Sequence, residues 1–223
     1  MNNSRPPASL LPISALGGLF GRSRLTDVRQ DCVLCDAPDS HVVCVPCAIE
    51  LPRSVNACPS CAAANHISVC GACISEPPAF DASVAAFQYL FPLDRLVQSF
   101  KFSANLALVD FFAEALAAKV RAQQSDVPGE QAVTIIALPL ANGRLATRGF
   151  NQSALIADQL GRRLGLAVAH SAMLRIRETP PQAGLSRQER LKNIKGAFDC
   201  AGKVEGKHVA LVDDVMTTGA TLS

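Results

Sequence analysis

The chain has 223 residues, 49% of them apolar and 18% charged, and a net charge of +2. That composition belongs to an ordinary soluble globular protein with one fair-sized core, or a core domain with a small attached module. No run approaches the roughly 18 uninterrupted apolar residues of a membrane-spanning helix, so no transmembrane segment is expected.

Charge is unevenly placed. Leu140 to Lys207 carries 12 Lys or Arg against 5 Asp or Glu, a local balance of +7 that leaves −5 elsewhere. Two readings fit this basic segment: a solvated helix face, or a site for phosphates or nucleic acid.

At the N-terminus, Leu10 to Phe20 has the length of a signal-peptide apolar region. Pro12, Gly17 and Gly18 interrupt it and no clear cleavage site follows. Residues 1–26 therefore read as a mobile or partly helical tail, and the chain as cytoplasmic.

Residues 27–78 read as a cysteine-rich module. Eight of the nine cysteines form four C-x-x-C pairs: Cys32/Cys35, Cys44/Cys47, Cys58/Cys61 and Cys70/Cys73. The spacing C-x2-C-x8-C-x2-C occurs twice, an internal duplication. One C-x-x-C turn brings two thiolates to adjacent corners of a tetrahedron, and two such turns supply the four ligands of a structural Zn2+. Eight ligands imply two closed sites with a folding role. A disulfide framework would need an oxidising compartment, and four repeated pairs are excessive for redox chemistry. Each half repeats, which favours sequential sharing of ligands, although a crossed arrangement has the same spacing. His41 and His66 could replace a thiolate, but the cysteines already satisfy two sites. Cys200 stands alone and is expected to be a small buried apolar residue.

Pro77 and Pro78 make "ISEPPAFD" a linker, and a second domain is expected over 79–223. "SVAAFQYL", 83–90, alternates as a strand does. "PLDRLVQSFKF" reads as a helix with Pro92 at its first position, and Leu106 to Ala122 as a stronger amphipathic helix. "AVTIIALPL" suits a buried parallel strand ended by Pro139. A loop bearing Arg144, Arg148 and Gly149 should follow, with Asn151 capping a helix through Leu164. Glu178 to Lys192 is polar and Pro-rich, so at least its first half should be a mobile loop. "HVALVD" is a second buried strand. Strands separated by helices imply an α/β domain with a mainly parallel sheet and helices on both faces. Ligands in such sheets bind beyond the carboxyl ends of the strands, where Asp213 and the Arg144 loop both fall.

"LVDDVMTTGAT", Leu211 to Thr221, carries the most specific chemistry. At the strand's end the chain turns, so Asp213 and Asp214 can both reach the crevice and accept hydrogen bonds from a vicinal diol such as a ribose. Thr217, Thr218, Gly219, Ala220 and Thr221 then offer hydroxyls, a glycine that lets the backbone approach closely, and a helix start that favours phosphate. The set suits a ribose 5-phosphate. G-x-x-x-x-G-K-[ST] is absent, as is a convincing G-x-G-x-x-G, which disfavours an ATPase or an NAD enzyme.

This stretch resembles the phosphoribosyl-pyrophosphate (PRPP) motif of type I phosphoribosyltransferases. Four motifs make the chain similar to the ComF competence family in particular: the four C-x-x-C pairs, "RGFNQS" at Arg148 to Ser153, "TPPQAGLSRQERLKNIKGAF" at Thr179 to Phe198, and the Tyr89, Pro92, Asp94 pattern followed by Lys101. The resemblance runs from about Cys32 to the chain's end. It implies that Asp213 and Asp214 hold the ribose hydroxyls and that Thr217 to Thr221 hold the 5-phosphate. Arg144 and Arg148 become the pyrophosphate contacts, and Thr179 to Asn193, with Gln182, Arg187 and Arg190, becomes a flexible loop closing over the site. Mg2+ would accompany PRPP, and Mg2+ with nearby Arg or Lys would stabilise the pyrophosphate as an oxocarbenium-like centre forms at C1. The family's phosphate loop continues into a helix and another strand, so a chain ending at Ser223 implies truncation at that edge.

Two functions of different class follow. One is phosphoribosyl (pentosyl) transfer from PRPP to an unknown acceptor, without glutamine use, since the chain begins Met1-Asn2-Asn3 and its cysteines are committed to pairs. The other, implied by the family resemblance, is a non-catalytic DNA-uptake factor in which zinc ribbons and the basic segment bind single-stranded DNA and PRPP is only a regulatory ligand or absent, with other competence proteins as further partners. Eleven aromatic residues are few for a strand-long stacking platform.

Overall fold

The structure is a computed structural model, and it describes residues 30–123, 133–180, 186–200, 204, 207–216 and 219. The N-terminal tail, Gln182, Thr217, Thr218, Ala220 and Thr221 lie outside the described residues.

The duplication seen in the cysteine spacing is also a duplication of structure. In the first half a short antiparallel pair, β1 (Gln30–Asp31) and β2 (Pro38–Asp39), leads into α1 (Val45–Glu50). Cys32 N donates to Ala37 O at 2.8 Å and Asp36 N to Cys32 O at 2.8 Å; Cys58 N to Ala63 O and Ala62 N to Cys58 O repeat both bonds at 2.8 Å. Asp36 and Ala62 close these turns with φ of 57° and 56°. In the second half α2 (Gly71–Ser75) follows Cys70 as α1 follows Cys44.

The halves differ in what they pack against. Val43, Ala48 and Leu51 of the first belong to the main core, together with Leu93, Leu96 and Phe100. Cys58, Cys70 and Cys73 form a small separate cluster, while Ile67 and Ile74 are exposed.

Residues 83–90 do not form the expected strand. They make one antiparallel bridge, Arg53 to Phe87, supported by Ser54 N to Ala86 O and Gln88 N to Pro52 O. The partner is the short segment after α1, too short for a ladder. This crossing is fixed by the Arg53 guanidinium over the Phe87 ring and by Lys119 Nζ donating to Ser54 O.

The rest is α/β. α3 (Leu93–Phe102) has Pro92 as its N-cap rather than its first helical residue, and α4 (Leu108–Gln123) follows. A parallel sheet has β3 (Val133–Ala137) in the centre, between β4 (Ala167–Val168) and β7 (His208–Val212). β3 reads as a buried strand because it is flanked on both edges and covered by α6 (Gln152–Leu164), whose Ile156, Ala157 and Leu160 enter the core. α4 packs along α6, and Arg163 pairs with Asp110 and Glu114 across them.

α6 approaches the sheet closely at Gly161. A Cβ there would stand 2.5 Å from Val168 Cγ2 and 2.9 Å from Leu166 O.

Residues expected as a loop after β3 instead form α5 (Asn142–Arg148), closed by Gly149 at φ 79°. Seven residues between Ala141 and a left-handed glycine suffice for two helical turns. An antiparallel pair, β5 (Leu174–Arg175) and β6 (Phe198–Asp199), and α7 (Arg187–Ile194) complete the described chain. α7 converts the second half of the expected Thr179–Asn193 loop into helix, because Ser186 and Glu189 form a capping box. Cys200, expected buried, is exposed: it follows β6 at the edge of a two-stranded ribbon.

Candidate functional site

The acidic pair stands directly after β7, and its surroundings come from three other elements. Asn151 N-caps α6 by accepting from Ser153 N at 3.0 Å, and its side-chain amide donates to Leu138 O at 3.0 Å. That double bond ties the start of α6 to the end of β3. Since β3 and β7 run in parallel register, Ala137 beside Val212, Ser153 arrives next to Asp213. Ser153 Oγ donates to Asp213 Oδ1 at 3.0 Å, and the Asp214 backbone N–H donates to the same oxygen at 2.8 Å.

Asp214 faces α3. Lys101 Nζ lies 2.8 Å from Asp214 Oδ1, with the two side chains 20% and 12% exposed. Desolvation offsets much of the attraction in a pair this buried, but removing one partner would leave the other charge uncompensated.

Burial pushes Asp213 up from the ordinary 3.8 to about 6, and the adjacent Asp214 charge adds to the rise. Hydrogen bonds from the Asp214 N–H and Ser153, with the Lys101 charge, oppose it. With its value near 6, Asp213 is mainly ionised at neutral pH and can accept hydroxyl hydrogens.

Gly219 is buried with φ 70°, and a Cβ on it would meet Phe80 Cζ at 3.1 Å and Met216 Cε at 3.3 Å. The positive φ favours glycine at this turn, and a Cβ would further require the Phe80 ring and the Met216 methyl to give by a few tenths of an ångström.

The expected cations fall into separate surroundings. Arg148 Nη1 donates to Gln152 Oε1 at 3.2 Å, and its guanidinium lies 5.3 Å from the Phe102 ring centre. Arg144, on α5, shares a cationic group with Arg175 and Arg177: burial lowers Arg175, and the Arg144 charge lowers it further. Glu178 Oε1 accepts from Gly143 N at 3.4 Å. Arg190 lies on α7, whose end is held by Arg177 donating to Asn193 O and Lys195 O.

Lys101, Gln152 and Ser153 had no assigned role in the sequence reading. Lys101 carried a detectable signal, since it lies four residues after buried Val97 on the core-facing stripe of α3, where a charge needs a partner. Gln152 is fully buried, and its Nε2 has no hydrogen-bond partner among the described residues. Nothing in its spacing announced that.

The cysteines gather as two groups, Cys32/Cys35/Cys44/Cys47 and Cys58/Cys61/Cys70/Cys73, with the sulfurs of each within 4.8 Å of one another. Sequential sharing is thus the arrangement present. Cys35 and Cys44 Sγ are 3.7 Å apart, as are Cys61 and Cys70. A tetrahedron with Zn–S of about 2.3 Å has edges of about 3.8 Å, so the donor sets fit zinc. Burial raises the Cys32 and Cys58 thiols, but backbone N–H groups outweigh it and bring each down to about 6. Burial and the neighbouring sulfurs push Cys73 up to about 12. A divalent ion would hold all four as thiolates. His41 is bonded to Asp39 rather than to a cysteine group, at 2.8 Å.

No family model matches the chain. Among curated proteins it is 34% identical to the DNA utilization protein YhgH of Salmonella typhimurium over 197 residues, covering 86% of this chain and 87% of that protein. It is 36% identical to competence protein F of Haemophilus influenzae over 157 residues, 69% of each chain. The chain belongs to the ComF competence family. A more distant relative, competence protein ComFC of Bacillus subtilis, is 26% identical over 215 residues, covering 86% of this chain and 85% of that one. The relatives of this ComF-family member are named for competence and DNA utilization, and among the described residues no helix is long and apolar enough to cross a membrane.

Proposed function

We propose that the chain binds PRPP with Mg2+ and transfers its phosphoribosyl group to an acceptor, in the cytoplasm and in the service of DNA uptake. The observation that carries this reading is the acidic pair itself, two carboxylates at the carboxyl end of β7, which is not the buried strand expected but an edge strand of the described sheet with only Val212 buried, aimed by Ser153 at 3.0 Å and Lys101 at 2.8 Å. Such a pair suits a vicinal diol, and the glycine turn at Gly219 suits the phosphate one turn away.

In this reading Asp213 and Asp214 bind the ribose hydroxyls, and Thr217, Thr218, Gly219, Ala220 and Thr221 bind the 5-phosphate. Arg144 and Arg148 offer charge to pyrophosphate, and Mg2+ would neutralise the leaving group. Gln182, Arg187 and Arg190 belong to the segment that would exclude water. Two Zn2+ ions fold residues 27–78, and 79–223 carry the sugar site.

Incubation with PRPP, Mg2+ and a panel of nitrogenous acceptors should release pyrophosphate, and Asp213→Ala/Asp214→Ala should abolish the release. No release by the unaltered chain contradicts transfer.

A second reading is a non-catalytic single-stranded-DNA-binding factor, to which the relatives' names lend only the words competence and DNA utilization. Its basic surface would be on and near α7, where Lys192 and Lys195 are exposed. Neutralising Arg187, Arg190 and Lys192 should then weaken binding to single-stranded DNA and flatten its salt dependence. Unchanged affinity rules out that use of the segment.

A further inference from the structure

The duplication of the cysteine module sets equivalent residues in opposite surroundings. A step of 26 residues carries Cys32, Cys35, Cys44 and Cys47 to Cys58, Cys61, Cys70 and Cys73, and the same step carries Val43 to Val69 and Ala48 to Ile74. The backbone repeats with it. Cys44 N donates to Cys32 Sγ at 3.4 Å and Cys70 N to Cys58 Sγ at 3.3 Å. Ala48 N donates to Cys44 O at 2.9 Å and Ile74 N to Cys70 O at 3.0 Å.

Val43 and Ala48 are buried in the main core with Leu93, Leu96 and Phe100 of α3. Their counterparts remain apolar but are exposed, Val69 by 39% and Ile74 by 69%. The exposed copy even carries the larger side chain, isoleucine where the buried copy has alanine. Single exposed apolar residues are ordinary, but these have company. Val55 and Ile67 are exposed too, and their neighbours Asn56 and His66 are joined by a backbone bond of 2.6 Å. From Ser54 to Ser75 the chain has no Asp, Glu, Lys or Arg. A surface without cations has little hold on phosphates, and an exposed group of apolar residues without charges has the composition of an interface core.

We propose that the face of the second cysteine half bearing Val69 and Ile74 docks on the same face of a second copy of the chain, α2 against α2. A two-fold contact sets a patch against itself, so every charge on it would meet its like. This patch has none to oppose. The second copy would cover in trans the positions that the main core covers within the chain in the first half. The patch is small, so the association is weak and concentration-dependent. No part of it depends on the acidic pair.

Sedimentation velocity of the full chain from about 1 to about 100 μM tests this, the range suited to a small interface. The unaltered chain should pass from monomer to dimer. Ile74→Asp sets like charges across the axis and should weaken association at least about ten-fold. Ile74→Val should preserve it, and Ile49→Asp, at an exposed position of α1, should leave it unchanged. Should Ile74→Asp lose metal, Val69→Ser takes its place with the same expected weakening. A chain that stays monomeric throughout overturns the proposal and leaves the face to residues 1–29 or to a different partner. A dimer that neither Ile74→Asp nor Val69→Ser weakens also overturns it. So does a monomeric chain whose affinity for a single-stranded oligonucleotide falls with Ile74→Asp, since nucleic acid is then the occupant.

Discussion

Lys101 Nζ meets Asp214 Oδ1 at 2.8 Å, joining the last turn of α3 to the end of β7. The pair fixes one carboxylate of a vicinal acidic pair without consuming the other, which Ser153 holds. Lys101→Met strands Asp214 in a largely buried place, and the expected cost is about 1–3 kcal/mol, between the surface and fully buried cases. In a denaturation double-mutant cycle with Asp214→Asn, the second substitution should recover much of that loss. Additive losses contradict a direct pairing.

The elevated Asp213 gives stability a pH signature. Its folded value of about 6 exceeds the ordinary 3.8, so its favourable contribution is complete below about pH 4 and is lost as pH rises through about 6. Asp213→Asn removes the penalty while an amide oxygen can still accept from Ser153. Compared with the unaltered chain, the variant's melting temperature should be higher by a few degrees near pH 8 and equal near pH 4. A constant difference at both pH values places the effect elsewhere.

The two cysteine groups should be unequal in consequence. The first is continuous with the main core through Val43, Ala48 and Leu51, and the second packs on its own cysteines. Cys32→Ser should therefore lower the stability of the whole chain, and Cys58→Ser should loosen the second half locally. Hydrogen exchange read at β3 and α6 separates the two: protection there falls with the first substitution and persists with the second. Metal analysis should give two Zn2+ per chain, one in each variant.

Gly161 is a site where a helix-favouring substitution should hurt. Alanine gains helix propensity, but its Cβ meets Val168 Cγ2 at 2.5 Å and a backbone carbonyl at 2.9 Å. Overpacking of about 1–3 kcal/mol outweighs the gain of about 1 kcal/mol. Equal or higher stability of Gly161→Ala by chemical denaturation contradicts the close approach of α6 to β4.

Much of the scaffold was legible because periodicity and caps are local. The Val133 and His208 strands, the Asn151 cap and the repeated cysteine spacing are each written within a few residues. The strand expected over 83–90 failed because alternation does not say whether a partner long enough for a ladder exists. The α5 helix was hidden among polar residues by its lack of an apolar face; none of its residues is buried. Ser153 and Gln152 were invisible as site residues, since only parallel register brings α6 and β7 together. Lys101 was half visible, as a charge on a buried stripe.

The account turns on Asp213 and Asp214 holding a sugar. Calorimetric titration of the full chain with PRPP and Mg2+, repeated on Asp213→Ala/Asp214→Ala, measures that directly. The account predicts saturable binding to the unaltered chain and loss of at least about ten-fold in affinity for the variant, as expected when two charge-assisted acceptors are removed. Equal binding by both chains, or no binding by either, contradicts it.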